Sequence, residues 1–273
     1  VTQRVLITGA ASGLGWALTQ LYLRDGWHVV MVDLDEHRLA DCAALLSVDY
    51  SDRFQCICAN VAIDEQLQTA LGPVFNADEG LDLLINNAGI THRSQASVTD
   101  PDVFDHVMSV NWRAPVRLTR LCLPALQRRG GGIICVSSMA AWMPVPGRAA
   151  YGASKAALKL HFEAWRPELL QQGISLLMVY PSFVSTSIEE NALGSDGQRT
   201  SRPRSAVGRI QTAEAMAESI VRAHQKGRQR LYGPQWSSHI GAWMWFHTPE
   251  WFQRTVWRKF AVELKTPEVN QRN

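Results

Sequence analysis

Val5-Leu6-Ile7-Thr8-Gly9-Ala10-Ala11-Ser12-Gly13-Leu14-Gly15 is the stretch on which the reading of the fold turns. An apolar strand from Arg4 to Thr8 runs directly into a glycine-rich turn, and the following residues, Trp16 to Asp25, have a helical pattern. Glycines let a backbone approach a pyrophosphate closely, and a helix N-terminus offers it unpaired N–H groups and a partial positive charge. Strand, glycine turn and helix in that order are the context of a dinucleotide site.

Further along, short apolar runs recur at Val29 to Val32, Gln55 to Cys58, Leu81 to Ile85, Gly132 to Val136 and Ile174 to Val179, with helical patterns between them. Continuous apolar strands separated by amphipathic helices call for βαβ units. The fold class is therefore α/β, a doubly wound parallel sheet covered on both faces and joined by right-handed crossovers. A chain of 273 residues is long enough for one such domain, and one domain over residues 1–273 is the reading favoured. Asp33 closes the second strand, 18 residues after Gly15. A carboxylate there accepts hydrogen bonds from both hydroxyls of an adenosine ribose and repels a 2′-phosphate. Ser12 and Leu34, which could offset that repulsion, carry no charge, so NAD is expected rather than NADP. Arg38 is the reservation, read as a solvated helix-face residue.

The second informative stretch is Tyr151-Gly152-Ala153-Ser154-Lys155, with Ser138 upstream. A free tyrosine has a pKa of about 10 and needs a fixed positive charge beside it to work as an acid or base near neutrality. If Tyr151 to Leu170 is helical, Lys155 stands one turn from Tyr151 on the same face. A phenol, an ammonium and a hydroxyl together suit proton movement on and off a carbonyl oxygen.

Basic and acidic residues are nearly balanced, 27 against 25, which makes nucleic acid an unfavoured partner. The five cysteines, Cys42, Cys56, Cys58, Cys122 and Cys135, form no CxxC pair and read as buried reduced thiols. The eight histidines show no ligand spacing, so no metal is expected. A first strand beginning at Arg4 and the absence of a long apolar run make a cytoplasmic location the expectation.

These pieces resemble the short-chain dehydrogenase/reductase family over residues 4 to 187. Thr8 to Gly15 matches TGxxxGxG, Asn86-Asn87-Ala88-Gly89 matches NNAG, and Asn111 sits where the family keeps a helix asparagine. Ser138, Tyr151 and Lys155 match its Ser, Tyr and Lys positions. The resemblance implies a Rossmann-type sheet and hydride transfer between a nicotinamide cofactor and a small-molecule alcohol or ketone. By it, Tyr151 is the general acid or base, Ser138 holds the substrate oxygen, and Lys155 supports Tyr151 and the nicotinamide ribose. Asn111 binds a water linking Lys155 to solvent. Cofactor contacts carry over to Thr8, Gly9, Ser12, Gly13, Leu14, Gly15, Asp33, Asn60, Val61, Asn87, Ala88, Gly89, Tyr151, Lys155, Pro181, Val184 and Thr186. A homodimer or homotetramer is implied, with helices at about 101 to 128 and 152 to 172 across the interface. The chain departs from the family at Asn60-Val61, usually Asp-Val, and at Pro181-Ser182, usually Pro-Gly. Pro167 is expected to bend its helix. An NADP-dependent carbonyl reductase is the nearer alternative; a non-catalytic nucleotide-sensing protein is a competing reading from another class, and the Ser138, Tyr151 and Lys155 set argues against it.

The mostly apolar residues between Ser138 and Tyr151, among them Met139, Trp142 and Met143, are expected to wall a substrate pocket with Phe183, which suits a medium-sized apolar substrate. Residues 188–210 lack periodicity and read as a mobile substrate loop or lid, in which Arg199, Arg202, Arg204 and Arg209 offer charge. Residues 235–273 form a tryptophan-rich extension holding five of the ten tryptophans, with Thr248 as N-cap and Pro249 as first residue of a basic amphipathic helix. A membrane-surface contact is one reading of that helix; a lid or subunit contact is favoured over it.

Overall fold

A computed structural model describes residues 2–76, 80–186, 188, 190–200, 210–233 and 236–264. The strands β1 (Arg4–Thr8), β2 (His28–Asp33), β3 (Phe54–Cys58), β4 (Leu83–Asn86), β5 (Gly132–Val136) and β6 (Ser175–Tyr180) are the six anticipated runs, with shifted ends. They join β9 (Arg230–Tyr232), which the sequence did not signal, in a seven-stranded parallel sheet of order β3-β2-β1-β4-β5-β6-β9. β7 (Val184–Ser185) and β8 (Gln211–Thr212) form a separate short pair.

The strand alternation builds two cores. Val5, Ile7, Val29, Met31, Ile85, Ile134 and Val179 point to one face. There they meet α1 (Gly13–Arg24), α2 (Glu36–Tyr50) and α7 (Ala213–Gln225) through Leu18, Leu39 and Ile220. Leu6, Val30, Leu84, Ile133, Cys135 and Met178 point the other way. They meet α3 (Asp64–Asn76), α5 (Ala114–Arg129) and α6 (Ala149–Gln171) through Leu71, Leu118, Leu158 and Phe162. Strands buried on both faces explain the unbroken apolar runs. The order reverses between β1 and β4, so a crevice opens at their carboxyl ends, where such sheets bind ligands.

Several expectations need correction. The helix anticipated at 101 to 128 is divided: α4 (Pro101–Met108), a π turn over Ser109–Arg113, then α5. Pro115 has no N–H to return to that turn, and the Asn111 side chain bonds the Ile90 backbone. Pro167 falls inside α6 as anticipated, and the helix is unbroken there. Cys58 is exposed and Cys56 only half-buried, because β3 is a sheet edge. The described part of the 188–210 loop is joined to the segment after β4 by backbone bonds: Leu193 N–H donates to the Thr91 carbonyl at 2.9 Å and Arg93 N–H to the Leu193 carbonyl at 2.8 Å, with Ala192 fully buried. Arg199 Nε donates to the Glu190 carbonyl, while Arg202, Arg204 and Arg209 lie outside the described residues.

The C-terminal extension forms a hairpin of α8 (Trp236–His247) and α9 (Pro249–Leu264). α9 begins at Pro249, with Thr248 directly before it as expected. The Thr248 hydroxyl donates back to the Met244 carbonyl at 3.1 Å, closing α8. No helix among the described residues is long and apolar enough to cross a membrane.

One ionic cluster joins α6 to the last two sheet strands. Glu163 accepts from Arg230 Nε at 2.7 Å and Nη2 at 2.6 Å, and from Arg166 Nε at 2.9 Å; Arg166 Nη1 also donates to the Leu176 carbonyl at 2.6 Å. Burial alone would raise the Glu163 carboxyl, but the hydrogen bonds from Arg230 and Arg166 outweigh it and hold it down at about 2. A depressed acid stabilises the fold above its unfolded value and loses that contribution as pH falls through the folded one. Glu163→Gln should therefore cost about 2 kcal/mol at pH 7 in urea unfolding. Wild type should lose stability between pH 4.5 and about 2 along a slope that the variant lacks.

Candidate active site

At the carboxyl ends of β1, β4 and β5 lies a cleft of about 540 Å³. Gly9 and Gly13 on its wall have φ of +64° and +50°, values that side chains disfavour. A Cβ at Gly15 would overlap the Gly9 carbonyl oxygen, so this glycine lets α1 start tight against the turn. Gly15 itself does not line the cleft, and neither does Thr8. The Thr8 hydroxyl accepts from the N–H groups of Asn87 and Ala88 at 3.0 Å each, and Asn87 Nδ2 donates to the Thr8 carbonyl at 2.9 Å. The two loops are thereby clasped together. Ser12, Leu14, Asn87, Ala88 and Gly89 line the cleft as anticipated.

Asp33 lines it too, with Oδ2 accepting from Ala11 N–H at 2.9 Å. Arg38 reaches the same wall, but its Nε pairs with Asp35 Oδ2 at 3.3 Å, so its charge has a neighbour of opposite sign. Asn60 and Val61 are lining residues, and Asn60 Oδ1 is engaged by Ala62 N–H at 2.9 Å. Pro181, Val184 and Thr186 close this part of the wall, and Thr186 packs where a Gly13 side chain would fall.

Three strands along from β2, the end of β5 delivers Ser137 and Ser138. Ser137 is buried and its hydroxyl donates to the Lys155 carbonyl at 3.2 Å. Ser138 caps the short turn Met139–Ala141, its Oγ accepting from Ala140 N–H at 3.1 Å, and it lines the cleft. Tyr151 and Lys155 come from the first two turns of α6, and both line the cleft. Lys155 is 3% exposed; its ammonium donates to the Val136 carbonyl at 3.0 Å and sits 5.9 Å from the centre of the Tyr151 ring. Burial pulls its pKa down to about 8, with Cys135 acting weakly the other way.

Asn111 is fully buried behind the cleft and does not line it. Its Oδ1 accepts from Ile90 N–H at 2.9 Å, and its Nδ2 donates to the Ile90 carbonyl and to Ser154 Oγ, each at 2.9 Å. A Cβ at Gly89 would stand 3.2 Å from Asn111 Oδ1 and 3.3 Å from Lys155 Nζ, so Gly89 leaves room between them. Ser154, whose hydroxyl also donates to the Tyr151 carbonyl at 2.8 Å, was not singled out in the sequence. Its position three residues after Tyr151, on the inner face of α6, was the available signal.

On the substrate side Met139, Met143 and Phe183 line the cleft with Ile90 and Val145. Trp142 does not. Its ring packs on Tyr180 and Tyr232, at 4.4 and 5.4 Å between centres, with the Lys159 ammonium 4.8 Å from its own centre. His106, Arg148 and Asn191 reach the wall unanticipated.

The close-packed glycine turn, the carboxylate at the end of β2 and the long open cleft between them and Tyr151 fit a dinucleotide. The short chain dehydrogenase family model matches residues 3–195. The chain belongs to the short-chain dehydrogenase/reductase family. It is an NAD(P)-dependent oxidoreductase of that family. Curated relatives include Dehydrogenase/reductase SDR family member 7B of Xenopus laevis, 31% identical over 83% of this chain and 72% of the relative. Another is 11-beta-hydroxysteroid dehydrogenase A of Sesamum indicum, 30% identical over 93% of this chain and 75% of its own length. A short-chain dehydrogenase structure from Streptomyces avermitilis superposes with a TM-score of 0.77 at 25% identity, covering 96% of this chain and 97% of that one. A 3-ketoacyl-(acyl-carrier-protein) reductase from Brucella melitensis, complexed with NADH, has a TM-score of 0.72 at 25% identity over 84% of this chain and 96% of that one. A Burkholderia cenocepacia short chain dehydrogenase in complex with NADP shares the fold, with a TM-score of 0.76 at 22% identity over 93% and 97%.

Burying the Lys155 ammonium costs the free protein stability, because its folded pKa lies below the unfolded value of 10.5. Lys155→Met should raise the stability of the cofactor-free protein by about 1–2 kcal/mol at pH 7. Between about 8 and 10.5 the unfolded chain binds the extra proton, so wild type gains stability as pH rises and the variant's advantage shrinks. Thermal melts of both proteins across that range check the sign.

Proposed function

We propose that this enzyme transfers hydride between NAD(H) and a secondary alcohol or ketone on a medium-sized apolar molecule. The observation that carries the reading is the buried Lys155 ammonium one helical turn from Tyr151, with Ser138 on the same cleft. When bound, the nicotinamide donates or accepts the hydride. Tyr151 gives its phenolic proton to the substrate oxygen in reduction and, as phenolate, takes the proton in oxidation. The Lys155 charge favours that phenolate and would hold the nicotinamide ribose hydroxyls. Ser138 donates a hydrogen bond to the substrate oxygen as charge develops there. Asn111, held by Ile90 and Ser154 on the far side of Gly89, serves the link from Lys155 to solvent.

Asp33 supports NAD over NADP, since the carboxylate would sit against a 2′-phosphate and Arg38 is paired with Asp35. Met139, Met143, Phe183, Ile90 and Val145 support an apolar substrate. The sesame relative, named for a hydroxysteroid, agrees with that class. A homodimer or homotetramer is supported by Leu160 and Leu170 on α6, which are 72% and 49% exposed in the single chain.

Screening alcohols and ketones with Tyr151→Phe tests the reading. Turnover should fall about a hundredfold or more while NADH affinity stays within about twofold. Undiminished turnover in the variant would contradict the assigned role.

A further inference from the structure

The α8–α9 hairpin has two apolar faces, and among the described residues the body of the protein covers only one. On the inner side Gly241 lies so close to Met143 that an added Cβ would stand 2.9 Å from its sulfur. Phe252 is 6% exposed and meets Trp245 edge to face at 5.7 Å. On the outer side Ile240, Trp243 and Phe246 follow one another at three-residue spacing within an arc of about 120° of α8. They are 43%, 59% and 66% exposed. Trp251 on α9 is 62% exposed, and Arg254 and Arg258 share its helix face and are exposed as well.

We propose that this outer face docks the protein onto an anionic lipid bilayer. Indoles and a phenyl ring beside arginines suit the headgroup boundary, where apolar rings enter the acyl region and guanidinium groups stay with the phosphates. A second copy of the chain fits less well. A two-fold contact would need carboxylates to face the cations of α9, and that helix carries Arg254, Arg258 and Lys259 against Glu250 and Glu263 alone. Docking would set the Met143 wall of the cleft beside the bilayer, where apolar molecules dissolve. That consequence rests on the proposed substrate class; the lipid contact does not.

The test is co-sedimentation of the full chain with phosphatidylcholine vesicles, with and without phosphatidylserine. The protein should pellet with the anionic vesicles, less with phosphatidylcholine alone, and less as salt is raised. The paired change Trp243→Ser and Phe246→Ser should weaken binding about tenfold or more. Arg254→Gln with Arg258→Gln should remove the preference for phosphatidylserine. NADH binding and turnover of soluble ketones should be unchanged in every variant, which separates this surface from the catalytic assignment. Protein left in the supernatant with both vesicle types would overturn the proposal, as would serine variants that pellet like wild type. Serine variants that turn a dimer into a monomer in ultracentrifugation, with no vesicle binding by wild type, would assign the face to a second copy instead.

Discussion

The clasp between the ends of β1 and β4 is the contact on which the cleft depends. The Thr8 hydroxyl and the Asn87 carboxamide tie the glycine turn to the Asn87–Gly89 loop through part-buried hydrogen bonds. Buried N–H groups without partners would cost about 1–3 kcal/mol each, so the arrangement is strongly specified. Because β1 and β4 are where the strand order reverses, fixing their ends fixes the crevice. Ser138 and Tyr151 then follow from the register of β5 and the start of α6.

Against that rigid frame, the catalytic end is a place where local stability is given up. An ammonium held at 3% exposure with one backbone carbonyl as its described partner is an unfavourable thing to bury. The neighbouring polar contacts are saturated by contrast: Ser137 bonds the Lys155 carbonyl, Ser154 the Tyr151 carbonyl, and Asn111 the Ile90 backbone. The strain of the site is thus concentrated on one charge, as expected where that charge serves chemistry rather than folding.

Most of the frame was legible in the sequence because it rests on local signals. Apolar runs fully buried between two helix layers, a glycine turn and the Tyr151–Lys155 helical spacing each carry their meaning within a few residues. What escaped is non-local. The partners of two residues of the glycine motif lie far off in sequence or behind the turn: the Thr8 hydroxyl bonds the loop after β4, and Gly15 packs against the Gly9 carbonyl and Asn87. Trp142 belongs to the apolar wall segment, but Tyr180 and Tyr232, distant in sequence, draw its ring away. The division of α4 from α5 depends on Asn111 meeting Ile90 across the fold. β9 has only three residues and no apolar run, and the 191–200 segment is held by backbone bonds that leave no trace in composition.

Titrating the protein with NADH and with NADPH, followed by energy transfer from its tryptophans to the reduced nicotinamide, bears most directly on the central claim that this cleft is built for NAD(H). Saturable binding of NADH, tighter than that of NADPH, is the result predicted from Asp33 and from the pairing of Arg38 with Asp35. Tighter binding of NADPH would contradict the assignment of that carboxylate, and failure to bind either would contradict the account of the cleft.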